Sequence, residues 1–216
     1  MKFEWCYIPG ASVDFGSSFS EIAEVYSFWL GRLISGAYKP EALRSWLEKE
    51  FPVHSRDIRR FAILKYPITN KQFYSFASEG NDSGIFLDCY LESKSDHPAI
   101  EVSLQSALKF ANWAAAKTNQ RLRLPTEWEW EYAARGRERL QFPYGEVFDP
   151  NKANSIESQI GDTTPVDRYY RYPSPFRVCD LAGNAEEWTG SLYAPYPGGR
   201  AIKDDIWHAT AGAYNV

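Results

Sequence analysis

The chain has 216 residues, 44% of them hydrophobic, which is enough for one folded core and too apolar for a disordered segment. A formal charge of −4 and the lack of any long basic run argue against a broad electrostatic surface for nucleic acid. Met1 to Pro9 carries no long apolar run, so neither a signal peptide nor a membrane span is expected, and a cytoplasmic, reduced protein is the default.

The first expected element is a strand over residues 3–8, rich in aromatic and β-branched residues, with a turn at Pro9-Gly10. Residues 19–50 switch to helical spacing. Ile22, Val25, Tyr26, Trp29, Leu33 and Ile34 recur along one helix, which Gly36 closes. Pro40 opens a second, with Leu43, Trp46 and Leu47 on one face, giving a helical hairpin. Residues 58–66 read as a buried strand ended by Pro67. Thr69 caps a helix that starts near Asn70 and turns Phe73 and Phe76 inward. The polar stretch 79–97 reads as a loop. A helix from Leu104 to Lys117 follows, capped by Ser103, with Leu104, Ala107, Leu108, Ala111 and Ala115 as its apolar stripe, flanked by Phe110 and Trp113. Thr126-Glu127-Trp128-Glu129 is a capping box for a short helix that Gly136 ends. From Leu140 onward Pro, Gly, Tyr, Asn and Asp dominate, so irregular structure with short strands is expected. So long an irregular stretch in a compact domain calls for a tie, and a bound ion is one candidate.

The 8 Trp, 14 Tyr and 13 Phe supply a dense core or a recognition surface, and core is the simpler assignment for most. Cys6, Cys89 and Cys179 are odd in number and widely spaced, which fits neither a disulfide framework nor a zinc pair. His54, His97 and His208 stand apart from metal-ligand neighbours and read as packed or surface residues. Arg56, Arg59 and Arg60 read as a solvated strand edge. Glu127, Glu129 and Glu131 read as caps and ion-pair partners for Arg123 and Arg135 rather than an acid–base cluster. Asp180 and Glu187 offer a sharper reading. They stand seven residues apart around a glycine-containing turn, which can aim two acids and intervening carbonyls at one point. Hard oxygen ligands of that kind suit Ca²⁺. The plainer alternative makes Glu187 a cap or an arginine partner.

Four blocks carry a family likeness, in order and spacing, from Trp5 to about Tyr193: Tyr7-Ile8-Pro9-Gly10, residues 66–73, residues 97–103 with 121–136 beyond the intervening helix, and Asp180-Leu181-Ala182-Gly183-Asn184-Ala185-Glu186-Glu187-Trp188-Thr189. They closely resemble the signatures of the formylglycine-generating enzyme, or sulfatase-modifying factor, family. The resemblance implies an α+β, C-type-lectin-like fold with little regular secondary structure. It is expected here as a single domain over 1–216, with 19–50 as a helical insertion. The resemblance also implies a structural calcium ion held by the side chains of Asp180 and Glu187 and the carbonyls of Gly183 and Ala185. A second family calcium site would use Asn154 and the carbonyl of Ser155; only Asp162 adds a nearby carboxylate, so that site is not expected.

The sequence departs from the family where chemistry is concerned. Oxidase members use a copper-binding cysteine pair downstream of an Arg-Gly-Gly-Ser-Trp-like motif, and Thr210-Ala211-Gly212-Ala213-Tyr214-Asn215 stands in its place in degenerate form. Cys6, Cys89 and Cys179 match neither catalytic position, so no copper site is expected. The three histidines do not rebuild the iron site of the related sulfoxide synthases. A non-catalytic ligand- or protein-binding module is therefore the leading expectation, with the loop Tyr193-Ala194-Pro195-Tyr196-Pro197 as one recognition candidate and a surface connector as its alternative. The other readings are a metal-dependent oxidase acting on a protein cysteine or thiol, and a subunit completed by a partner chain. A protein partner or self-association is expected through 19–50 or the C-terminus, and neither nucleic acid nor membrane is.

Overall fold

The structure, a computed structural model, describes residues 2–32, 39–81 and 92–202. Of these, residues 2–10 and 59–191 form one compact unit, and 11–58 and 192–202 form a second.

The first unit opens with strand β1 (Trp5–Ile8). It pairs antiparallel with a later strand, Phe61–Leu64, in the register Trp5 opposite Leu64 and Ile8 opposite Phe61. Only Phe61–Leu64 of the expected strand 58–66 is regular here, and it is half-buried or exposed rather than buried. Ile58 ends a different strand, and the exposed arginines 59 and 60 separate the two.

In the second unit, β2 (Ala11–Phe15) pairs antiparallel with β3 (His54–Ile58), so Phe61–Leu64 is β4. The hairpin expected over 19–50 is present as α1 (Phe19–Leu30) and α2 (Pro40–Glu48). Ser18 caps α1 through a full capping box with Glu21. Gly31 is its C-cap; Leu33, Ile34 and Gly36, assigned above to the same helix, lie outside the described residues. Pro40 sits in the first turn of α2, where its missing N–H costs nothing.

The core of the first unit lies between α3 (Asn70–Phe76) and α4 (Leu104–Thr118). Phe73, Phe76, Ala77, Phe110 and Ala114 form its centre, and Val102, Trp113 and Leu122 pack against it. The Phe73 and Phe110 rings stack at 5.7 Å, and Phe76 meets Trp113 edge-on at 5.6 Å. Each fully buried phenylalanine contributes about 1.5–3 kcal/mol through apolar burial. Thr69 caps α3 with Gln72 reaching back, so the local signal and the packing agree. On α4 the buried face is Ser106, Phe110 and Ala114, and Leu108 from the expected stripe is 38% exposed. The helix is rotated because the phenylalanines of α3, not the alanines of α4, decide which side fits.

Thr126 and Glu129 close the capping box of α5 (Glu127–Arg135). Arg123 clamps Glu129 with two hydrogen bonds of 2.7 and 2.6 Å, and Arg135 pairs with Glu131 at 2.8 Å. Burial works against the Glu129 carboxylate, but the Arg123 guanidinium and the Thr126 backbone outweigh it and hold its pKa below the usual range. From Leu140 to Ser191 the described chain is irregular, with one short 3₁₀ turn at Ile156–Ser158. Side chains tie it in place of a ladder. Trp188 donates its indole N–H to the Val102 carbonyl at 2.8 Å, and the Glu127 N–H donates to Ser191 Oγ at 3.0 Å.

Candidate functional site

The segment 180–187 is a tight loop built on positive-φ residues. Asp180 (φ 59°) and Asn184 (φ 73°) take the left-handed conformation, which their short polar side chains tolerate better than most. Gly183 (φ 149°) approaches the neighbouring segment so closely that an added Cβ would lie 2.3 Å from the Asn154 carbonyl oxygen. Only glycine fits there. The Asn184 N–H donates to that same Asn154 carbonyl at 2.9 Å. Leu181 and Cys179 anchor the loop from below, both buried.

The loop holds two acids against their preference. Burial pushes the Asp180 carboxyl up to about 6, against a smaller opposing effect from its Asn184 hydrogen bond and with a further push from Asp167. Burial also pushes Glu187 up to about 7; the Trp130 indole N–H opposes this somewhat and the charge on Asp180 adds to it. The Trp130 N–H does not complete a well-formed hydrogen bond. Neither acid forms an ion pair among the described residues. The arginine pairing considered for Glu187 is therefore not what the described residues provide. The carbonyls of Gly183 and Ala185 accept no hydrogen bond among the described residues. Two acids with no cationic partner and two carbonyls with no donor among the described residues, all in one loop, are the oxygen donor types that a hard divalent cation takes. Among the described residues no three His, Cys, Asp or Glu side chains come together as a metal site, so a cation here would need backbone oxygen as well.

The groups named for a second calcium are engaged by protein partners. Asn154 Nδ2 donates to the Asp162 carbonyl at 2.8 Å and to Asn184 Oδ1 at 3.1 Å. Its Oδ1 accepts from Ser158 at 3.2 Å, and the Ser155 carbonyl accepts from the same hydroxyl at 2.6 Å. The Asp162 carboxylate pairs with Lys94 at 2.6 Å. What sequence reasoning missed is that Asn154 and Asn184 bind one another. The available signal was the Gly183-Asn184 pair, a turn dipeptide whose asparagine can reach backbone groups.

Beside the loop lies a cleft of about 550 Å³ within the same unit. Phe3, Trp5, Phe73, Val102, Phe110 and Trp188 line it, and Glu187 and Ala185 reach its wall. Its size falls in the range of ligand pockets. Arg121 and Arg123 add charge to the lining. The described cysteines are poor nucleophiles. Cys6 and Cys179 are buried and unpaired, and burial pushes both thiols up, Cys179 to about 11. Cys89, His208 and the segment 210–215 lie outside the described residues. His97 Nδ1 hydrogen-bonds Thr163 Oγ1 at 2.8 Å, and His54 packs against Phe15 and Tyr196, so both are packed residues as expected.

The family profile described as the sulfatase-modifying factor enzyme 1-like domain matches residues 20–215. Serine/threonine-protein kinase Pkn1 of Chlamydia trachomatis is 34% identical over 67% of the chain, which spans 25% of the kinase's length. The formylglycine-generating enzyme of Mycobacterium tuberculosis is 24% identical over 76% of the chain and 74% of its own length. Bovine inactive C-alpha-formylglycine-generating enzyme 2 is 26% identical over 84% and 75%, respectively. The structure of PvdO from Pseudomonas aeruginosa superposes with a TM-score of 0.65 at 21% identity, covering 93% of this chain and 77% of PvdO.

Proposed function

Since the chain belongs to the sulfatase-modifying factor enzyme 1-like family and has its α+β, loop-rich fold, we propose that it is a non-catalytic binding module with a structural calcium ion in the 180–187 loop. The observation that carries the binding reading is the cleft of about 550 Å³ with its aromatic wall. The buried, protonated state of Cys6 and Cys179 speaks against thiolate chemistry at either. Relatives of both kinds exist, one named a generating enzyme and one named inactive, so likeness alone favours neither. The calcium ion would be held by the carboxylates of Asp180 and Glu187 with the carbonyls of Gly183 and Ala185. When bound it would supply the positive charge that these half-buried acids otherwise lack, and so fix one wall of the cleft.

Titration with indole, followed by the NMR signals of the tryptophan side chains, tests the binding reading. Trp5 and Trp188 are expected to shift, and Trp46, in the second unit, to stay. No shift at Trp5 and Trp188 sinks the cleft as a ligand site. Incubation with copper, oxygen and a thiol peptide tests the other half: turnover that depends on Cys6, Cys89 or Cys179 overturns the non-catalytic reading. The same proposal extends to a protein partner on α1, where Phe19, Phe28 and Leu30 are exposed. Light scattering on the eluted protein reads self-association there, and a monomer unaffected by Phe28→Ser argues against it.

A further inference from the structure

The carboxamide of Asn184 makes more hydrogen bonds than any ligand group in the loop. Its Oδ1 accepts from the Thr164 N–H at 2.8 Å, from the Thr164 hydroxyl at 3.3 Å and from Asn154 Nδ2 at 3.1 Å. Its Nδ2 donates to the Thr164 carbonyl at 3.0 Å and to Asp180 Oδ2 at 2.8 Å. Both N–H groups and the oxygen's acceptor capacity are used. The orientation of the amide is fixed as well. The Thr164 N–H only donates and its carbonyl only accepts, so oxygen and nitrogen cannot exchange places.

We infer that Asn184 is the positioning residue of the cation loop, locking one oxygen of Asp180 so that the other is presented to calcium, and joining that loop to the 154 and 164 segments. This inference rests on the calcium reading above. The geometry has the form of an outer-shell partner: a neutral donor that orients a ligating carboxylate and is itself held by backbone. Aspartate at this position would keep the acceptor side but lose both donors. It would then face Asp180 and the Thr164 carbonyl with an oxygen.

The test is terbium and calcium binding to the full chain below its melting temperature, read by tryptophan-sensitised terbium luminescence and by calcium displacement. Wild type, Asn184→Ala and Asn184→Asp are compared, with circular dichroism as the check of fold. Positioning predicts a calcium Kd 10–100-fold weaker in both variants. A purely structural role lowers the melting temperature in chelator and leaves Kd of the folded protein unchanged; a Kd within twofold of wild type in a folded variant overturns the inference. Hydrogen exchange on wild type keeps the question open to refutation if both variants fail to fold. Calcium is expected to slow exchange of the Thr164 amide, which donates to Asn184, and an unchanged rate with calcium bound refutes the coupling. If wild type itself binds neither ion, the calcium reading has failed and this inference falls with it, a result distinct from equal binding by wild type and variant.

Discussion

Glu187→Gln isolates the physics of the loop, because it removes one half-buried charge and keeps the shape. Burial raises this carboxyl from an ordinary value of 4.5 to about 7. A folded-state value above the unfolded one means that the fold holds the proton more tightly. Stability from this group is therefore fully present below about pH 4.5 and is lost as pH rises through about 7. At about 1.4 kcal/mol per pKa unit, the ionised side chain costs the cation-free fold about 3 kcal/mol at pH 8. Glutamine avoids that cost. In chelator at pH 8, Glu187→Gln should melt about 5–10 °C above wild type. At about pH 3.5 the two should coincide, since the glutamate is then protonated in the folded and in the unfolded state. Calcium at about one thousand times Kd should reverse the order at pH 8, because a ligand bound only by the native state then stabilises it by about 4.1 kcal/mol, more than the charge costs. The measurement is differential scanning calorimetry at both pH values, with calcium and with chelator. A variant that melts below wild type in chelator at pH 8, or a difference that does not depend on pH, would refute burial as the cause of the raised pKa.

Calcium affinity itself should rise between pH 5.5 and 8, as Asp180 and Glu187 lose their protons, and isothermal titration across that range would expose a flat profile as inconsistent with these ligands. Gly183→Ala forces a methyl against the Asn154 carbonyl at 2.3 Å and strains a positive φ, so urea unfolding should show a loss of about 2 kcal/mol or more. Phe76→Ala empties a fully buried position and should cost about 3–5 kcal/mol by the same assay. Thr126→Ala breaks a capping box whose carboxylate also holds Arg123; the expected loss is about 1 kcal/mol, and no loss would mean that the cap is redundant.

Short-range chemistry is legible in the amino-acid order itself. The caps at Thr69, Ser103 and Thr126, the proline that opens α2 and the glycine that ends α5 act within one helical turn, so neighbouring residues suffice to read them. The four family blocks read in the same way, since their order and spacing are sequence properties. The strands are harder. His54-Ser55-Arg56-Asp57-Ile58 has no apolar alternation, and it becomes a strand only because β2 lies beside it, with Ser55 bonded to Asp14 across the pair.

The loop shows the same division. From sequence alone came two acids seven apart around a glycine, and the expectation that they serve one ion. Tertiary structure decided that both are half-buried with no cationic partner among the described residues, and that Asn184 binds Asp180, Thr164 and Asn154 together. The rotated face of α4 was decided there too, by which rings α3 sets against it. Local patterns determine which residues begin and end an element. Burial, and the electrostatics that follow from it, depend on chain segments tens of residues apart, and only the folded packing brings those together.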